Sequence, residues 1–316
     1  MRIGTRGSAL ALTQSRWVAD RIRERHPGIL VELITIRTKG DILQEVALSK
    51  IGGKGLFIKE IEEALLAGRV DIAVHSMKDV PAELPDSLEI GVTPVREDPR
   101  DVLISRGDLK IEELPRGARI GTCSLRRGLQ LLNGMPHIEI VPLRGNLDTR
   151  IRKLETERLD GIVLAAAGIR RMGWSARVSQ FIPVETMLPA VGQGALGIET
   201  RRDDTLAREA LEFLHDPVTW CEVGAERAFL RRLGGGCQLP IAGFAKKEGG
   251  ELVLAGLVGG ADGRVMIRHE ARGVAGEYER LGREVAETIL ARGGEDLLDR
   301  IRAEAGGGDC APPYLP

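Results

Sequence analysis

The sequence predicts an α/β protein: two similar α/β domains with a hinge and a cleft between them, then an α+β domain with a three-stranded antiparallel sheet. Three observations carry this. The tetrapeptide Arg-Ile-Gly-Thr occurs at residues 2–5 and again at 119–122, each time opening the same succession of strands and helices. Two turn-rich segments, Thr93 to Pro99 and Pro189 to Ala195, mark two crossings between the halves. From about Asp216 the pattern changes to consecutive strands joined by tight turns. A chain of 316 residues has room for two or three domains at roughly 150 residues each.

In the first half, residues 1–5 read as a strand. Ser8 then caps a helix that places Leu10, Trp17, Val18 and Ile22 on one face. Residues 31–36 (VELITI) form the next strand. Phe57, Ile61 and Leu65 mark a second helix, and Asp71 to Val74 a third strand. The second half repeats the order. Ser124 caps a helix with Leu125, Leu129 and Leu132, residues 138–143 (IEIVPL) form a strand, Ile151 and Leu154 belong to a helix, and Asp160 to Leu164 is a strand. Each half is thus β-α-β-α-β, the pattern of a parallel sheet covered by helices. Two crossings return the chain to its first domain. The expected division is 1–94 with about 194–214, then 99–189, then 216–305. In the third domain a helix over 219–233 precedes strands at 240–246, 251–258 and 264–271, with turns at Gly249-Gly250 and Asp262-Gly263. Helices follow near 276–292 and 295–304. The Gly/Pro-rich tail 306–316 is expected to be disordered.

Composition narrows the function. Lys+Arg is 45 and Asp+Glu 46, a net charge of -1, so there is no global basic footprint for nucleic acid. Aromatics are 3%, too few for a base-stacking platform. No apolar run approaches the ~20 residues of a membrane span. The chain opens directly on a strand, with no apolar signal core, which predicts a cytosolic (cytoplasmic) protein. Four cysteines, at 123, 221, 237 and 310, form no Cys-x-x-Cys pair and lie near no histidine pair, so neither a zinc site nor a disulfide framework is expected.

Of the 45 basic residues, 36 are Arg. Ligands of such sheets bind beyond the carboxyl ends of the strands. Those ends carry Arg6, Ser8, His75, Lys78 and Asp79 in the first half, and Ser124, Arg126, Arg127, Arg144 and Arg171 in the second. Guanidinium forks suit carboxylates or phosphates. The helix N-termini at Ser8 and Ser124 also favour an anion.

Cys237 follows three glycines in a loop between a helix and a strand, where a bulky group can approach the backbone. On that feature alone it reads equally as a small buried hydrophobe. Asp79, after Lys78 at a strand end, suits cation stabilisation or proton transfer, or a simple turn. His75 faces the other way and reads as structural. Gly52-Gly53-Lys54-Gly55 lacks phosphate-loop spacing and reads as part of a long loop over the cleft.

Several strings occur together and in order: residues 3–11 (IGTRGSALA), 52–57 (GGKGLF), 75–79 (HSMKD), 124–127 (SLRR), 143–146 (LRGN), 189–197 (PAVGQGALG) and 235–240 (GGCQLP). From residue 1 to about 304 the chain resembles the porphobilinogen deaminase (hydroxymethylbilane synthase) family. The resemblance implies two periplasmic-binding-protein-like α/β domains and a C-terminal α+β domain. It implies a transferase that joins four porphobilinogen molecules head to tail, with loss of ammonia, on a covalent dipyrromethane primer. Water then releases hydroxymethylbilane, a precursor in tetrapyrrole biosynthesis that passes to the next enzyme. By resemblance Cys237 carries the dipyrromethane as a thioether and Asp79 is the catalytic carboxylate. Lys78, Thr122, Ser124, Arg126, Arg127, Arg144, Gly145 and Gln193 would join Asp79 in holding the cofactor. Arg6, Ser8, Gln14, Arg144, Arg150 and Arg171 would bind substrate, with Lys54 and Lys59. The family expectation is a monomer with no metal.

The chemistry agrees with the arginines. Each pyrrole carries an acetate and a propionate, so a growing chain brings many carboxylates into one place. Position 123 departs from the family pattern: it is Cys where many relatives have Ser. The rival reading is a two-lobed anion-binding module. It lacks a use for Cys237 and the third domain, and no basic DNA-binding helix accompanies it.

Overall fold

The computed structural model describes residues 1–42, 58–236 and 239–306. Phe57, the 52–57 string with Lys54, the expected loop over the cleft, Cys237 and residues 307–316 lie outside the described residues.

Three sheets organise the chain. The first has the order β2 (Glu32–Thr35), β1 (Arg2–Thr5), β3 (Ile72–Ser76), β10 (Leu196–Arg201), β4 (Leu88–Val92). The second has the order β7 (Glu139–Val141), β6 (Arg119–Gly121), β8 (Gly161–Ala165), β5 (Asp101–Ser105), β9 (Gln180–Ile182). The repeated tetrapeptide therefore occupies the same place, second in order, in both sheets.

The sheets are mixed: the strands of each β-α-β-α-β unit run parallel, as expected, and a strand outside that unit joins each sheet in the opposite direction. β1 runs parallel to β2 and β3, and β6 parallel to β7 and β8. β10 is antiparallel to β3 and β4, and β5 to β8 and β9. The reason lies in the crossings. β5 and β10 are the strands that directly follow them, so each enters its sheet from the cleft side and runs opposite to the βα-connected strands.

α1 (Ala9–Arg25) begins at Ser8, whose Oγ accepts from the Ala11 amide at 3.3 Å. Its inner face is Ser15, Val18, Ala19 and Ile22, and Trp17 is 43% exposed. Trp17 thus leaves the face predicted for it: one residue is about 100° of helix rotation, which turns it away from Val18. α2 is a single turn, Lys39–Ile42, and α3 spans Lys59–Leu66. α4 (Leu125–Gly134) is capped by Ser124, whose Oγ accepts from the Arg127 amide at 3.4 Å. α5 (Leu147–Thr156), α6 (Ala166–Arg171) and α7 (Thr205–Leu211) complete the first two units.

The third sheet is β11 (Ile241–Glu248), β12 (Glu251–Gly259) and β13 (Met266–Val274), antiparallel in chain order. α8 (Pro217–Arg232) and α9 (Tyr278–Ile289) cover it around Phe229, Leu254, Val258 and Val285. The two helices touch closely, for a Cβ on Gly282 would lie 2.4 Å from the Ala225 carbonyl. The helix expected over 276–292 ends at Ile289. Gly293, at φ +95°, breaks it in a bulged turn before α10 (Glu295–Gly306). Cys221 is half-buried on α8, less enclosed than a core cysteine.

Candidate functional site

A cleft enclosing about 1130 Å³, its open mouth included, lies between the first two sheets. Arg6, Ser8 and Gln14 reach it from β1 and α1, and Lys78 and Asp79 from the turn after β3. Arg127, Gly145, Arg150 and Arg171 line it from the second unit, and Gln193 from the second crossing. Ten sequence-predicted residues are thus brought together from segments up to 187 positions apart in number, Arg6 to Gln193.

Each is positioned by local structure. The N-terminus of α1 delivers Ser8, Ala9 and Leu10 to the wall. Gln14 Nε2 donates to Ser76 Oγ at 3.0 Å, tying α1 to the end of β3. Asp79 is exposed and sits in the 3₁₀ turn Met77–Asp79 rather than at the strand end itself. Arg150 Nε donates to the Gly145 carbonyl at 2.7 Å, and Gly145 adopts φ +114° to allow it. Arg171 Nη2 donates to the Gly194 carbonyl at 2.7 Å, so the second unit rests on the crossing.

Electrostatically the cleft is cationic. Withdrawal from water is the largest influence on Lys78 and lowers it to about 8, although Asp79 opposes the fall. Burial lowers Arg171 to about 10 against a weaker pull from Glu97. Burial also lowers Arg150, with Cys123 and Asp79 acting the other way. The arginines stay charged at neutral pH. Against Arg6, Lys78, Arg127, Arg150 and Arg171 the wall sets Asp79 and Asp148. This donor set fits a ligand that carries several carboxylates.

Not every expected residue reaches the cleft. Thr122 is 2% exposed and accepts from the Ser124 amide at 3.1 Å, so it shapes the loop before α4. Ser124 serves as the cap of α4, and neither it nor Arg144 lines the cleft. Lys59 stands exposed at the start of α3, away from the lining, because that helix packs behind β1. Arg126 is buried behind the wall: its Nη1 donates to Asp101 Oδ2 at 2.7 Å and to the Leu188 carbonyl at 2.8 Å. Lys54 and Cys237 lie outside the described residues. His75 is structural, as expected, with Nε2 2.8 Å from Glu199 in the first core.

The reading of the sequence missed Asp101. It opens β5, is 0% exposed, and meets both Arg126 and Arg127. The available signal was an aspartate leading the otherwise apolar strand DVLIS, every residue of which is buried.

Comparisons with known proteins bear on this geometry. A family profile described as porphobilinogen deaminase, dipyromethane cofactor binding domain, matches residues 1–209. One described as porphobilinogen deaminase, C-terminal domain, matches residues 220–291. A porphobilinogen deaminase of Syntrophus aciditrophicus is 60% identical over 301 residues, covering 95% of this chain and 98% of that one. Another, of Syntrophobacter fumaroxidans, is 52% identical over 301 residues, covering 95% and 97%. Among solved structures, a Salmonella typhimurium periplasmic binding protein of high arginine specificity shares 16% identity, covering 69% of this chain and 92% of that one at a TM-score of 0.39. The first two units of the present chain share one strand pattern and face each other across the cleft.

Proposed function

The chain belongs to the porphobilinogen deaminase family, and on that premise we propose which residues carry its chemistry. The reaction is the stepwise head-to-tail condensation of four porphobilinogen molecules with loss of ammonia, followed by hydrolytic release of hydroxymethylbilane. The observation that carries the residue assignment is the cleft itself, with cationic side chains on both walls and Asp79 among them.

When bound, the dipyrromethane supplies the terminal pyrrole α-carbon to which the next ring is joined. We assign its thioether to Cys237, after the Gly234–Gly236 run. Lys78, Arg127, Gly145 and Gln193 would meet its carboxylates, backed by Thr122, Ser124, Arg126 and Arg144. Arg6, Ser8, Gln14, Arg150 and Arg171 would take the acetate and propionate of incoming porphobilinogen, with Lys54. Lys59 has no place in this assignment.

Asp79 then acts on charge and protons. Loss of ammonia from porphobilinogen leaves positive charge delocalised over its pyrrole nitrogen. A carboxylate beside that N–H stabilises it and assists departure of the α-proton after the new C–C bond forms. Guanidinium forks fix the orientation of each ring, which converts the joining of two rings into a positioned step.

The finer reading includes the division 1–94 with about 194–214, 99–189 and 216–305, and a monomeric cytoplasmic enzyme that hands hydroxymethylbilane to the next enzyme. The division is supported by the return of β10 to the first sheet. Among the described residues no helix is long and apolar enough to cross a membrane.

Intact mass of the denatured protein, followed by peptide mapping, tests the assignment. The expected result is an excess of two porphobilinogen units less two ammonias, on Cys237. In Asp79→Asn the excess should persist while kcat falls by roughly 10²-fold or more. An unmodified wild type would favour a two-lobed anion binder. An Asp79→Asn enzyme with near-normal turnover would remove Asp79 from the chemistry.

A further inference from the structure

A buried charged cluster behind the cleft wall is held by a residue that does not line the cleft. Asp101 is 0% exposed, and five donors surround its carboxylate. Arg126 gives Nη1 at 2.7 Å and Nη2 at 3.2 Å. Arg127 gives Nε at 2.9 Å and Nη2 at 2.7 Å. Gln193 gives Nε2 at 3.1 Å. Lys78 also lies within electrostatic reach.

The same carboxylate joins both crossings. Asp101 is the first residue of β5 after the crossing at 93–99. Gln193 belongs to the other crossing, and its Nε2 also donates to the Pro99 carbonyl at 2.7 Å. Its Oε1 accepts from Arg126 at 3.4 Å. The inner guanidiniums are therefore fixed relative to the hinge, not only to α4, on which they sit.

The charge count is uneven. One buried carboxylate faces two guanidiniums, and such a surplus is costly unless an anion meets it. Only Arg127 of the pair lines the cleft, where that anion would come from. Asp101 thus holds both guanidiniums without satisfying both charges.

We propose that Asp101 is a positioning residue: it fixes Arg126 and Arg127 against the two crossings and leaves one positive charge, presented by Arg127, for a pyrrole carboxylate. This rests on the reading of the cleft as a site for acidic pyrroles. A second aspartate partner would cancel the charge that the ligand needs. An apolar residue at 101 would leave Arg126 to the Leu188 carbonyl and Gln193, and Arg127 to the Val163 carbonyl, with no counter-charge for either.

The test compares wild type with Asp101→Asn, Arg127→Gln and the double variant, with Asp101→Glu as a charge-preserving control. Fold is followed by thermal melting, primer loading by intact mass, and kcat and KM by steady-state rates. Asp101→Asn should fold, carry less primer, and lose kcat/KM about tenfold or more, the scale expected for contacting residues. Because Asp101 acts through Arg127, the double variant should lose little beyond either single one. Asp101→Glu should fold yet still carry less primer. Wild-type loading and kcat/KM in Asp101→Asn would overturn the proposal, as would losses that simply multiply in the double variant. If neither Asp101 variant folds while Arg127→Gln does, Asp101 is a folding counter-ion and the proposal falls. An unloaded wild type would instead sink the reading of the cleft, which separates the two failures.

Discussion

Lys78 holds its charge where water is scarce. Withdrawal from solvent lowers it to about 8, with Asp79 pulling the other way. As pH rises through about 8 the ammonium is lost, and with it one cation for a pyrrole carboxylate. Primer assembly on the cofactor-free protein should therefore slow above about pH 8 in the wild type. In Lys78→Arg, which stays charged, that alkaline limb should disappear on the same substrate. An unchanged limb in Lys78→Arg would assign it to another group. Stability has the opposite sign: the unfolded chain binds a proton between about 8 and 10.5 that the folded chain does not, so unfolding becomes harder over that window. Asp101 behaves in the reverse direction from an unpaired buried acid. Burial pushes its carboxyl up, but Arg126 and Arg127 outweigh burial and hold it well below the usual range. Its contribution is present at neutral pH and fades only in strong acid.

At the scale of elements, the two crossings work because glycine lets them touch. Gly194 has φ +93°, and a Cβ there would lie 2.3 Å from the Glu97 carbonyl oxygen. The Glu97 amide donates to the Gly194 carbonyl at 3.2 Å, and Arg171 donates to the same oxygen. Gly194→Ala should push the crossings apart, cost at least about 1–3 kcal/mol in chemical denaturation, and raise KM because Arg171 loses its rest. A variant with unchanged stability and KM would show that the crossings tolerate separation. The sequence made these crossings visible as turn-rich segments, and helix starts were visible as Ser8 and Ser124. The antiparallel entry of β5 and β10 was not visible, because periodicity reports burial and not strand direction. Trp17 was misplaced for a related reason: a large apolar residue one step off the buried stripe looks in one dimension like part of it.

Across the whole molecule, Glu226 ties three units at one point. Its fully buried carboxylate accepts from Arg96 Nη1 at 2.6 Å on the first crossing and from the Gly192 amide at 2.6 Å on the second. It also accepts from the Ala245 amide at 2.8 Å in β11. Glu222, 3.9 Å from Arg96, is too distant to take over. Nearby, Arg227 Nη2 donates to the Pro81 carbonyl at 2.8 Å, so α8 also braces the segment after Asp79. Glu226→Gln should leave Arg96 buried without its charge partner and cost about 3–5 kcal/mol, read as a lower urea midpoint. A midpoint within error of wild type would mean that Glu226 does not hold the third unit to the crossings.

The sequence by itself determined the repeat, the three-part order, the helix caps and the set of residue types for an acidic ligand. Those follow from local rules, since a cap, a turn or an apolar stripe is decided by neighbours within a few positions. Only the tertiary structure decided which arginines face the cleft. Arg126 and Arg127 are adjacent in the chain and both meet Asp101, yet Arg127 lines the wall and Arg126 lies behind it. That choice depends on a carboxylate 25 residues away from Arg126 and an amide from the second crossing, and no local rule reaches either. Buried charge is settled by the sum of all groups that converge on it, and the convergence exists only once the sheets have formed.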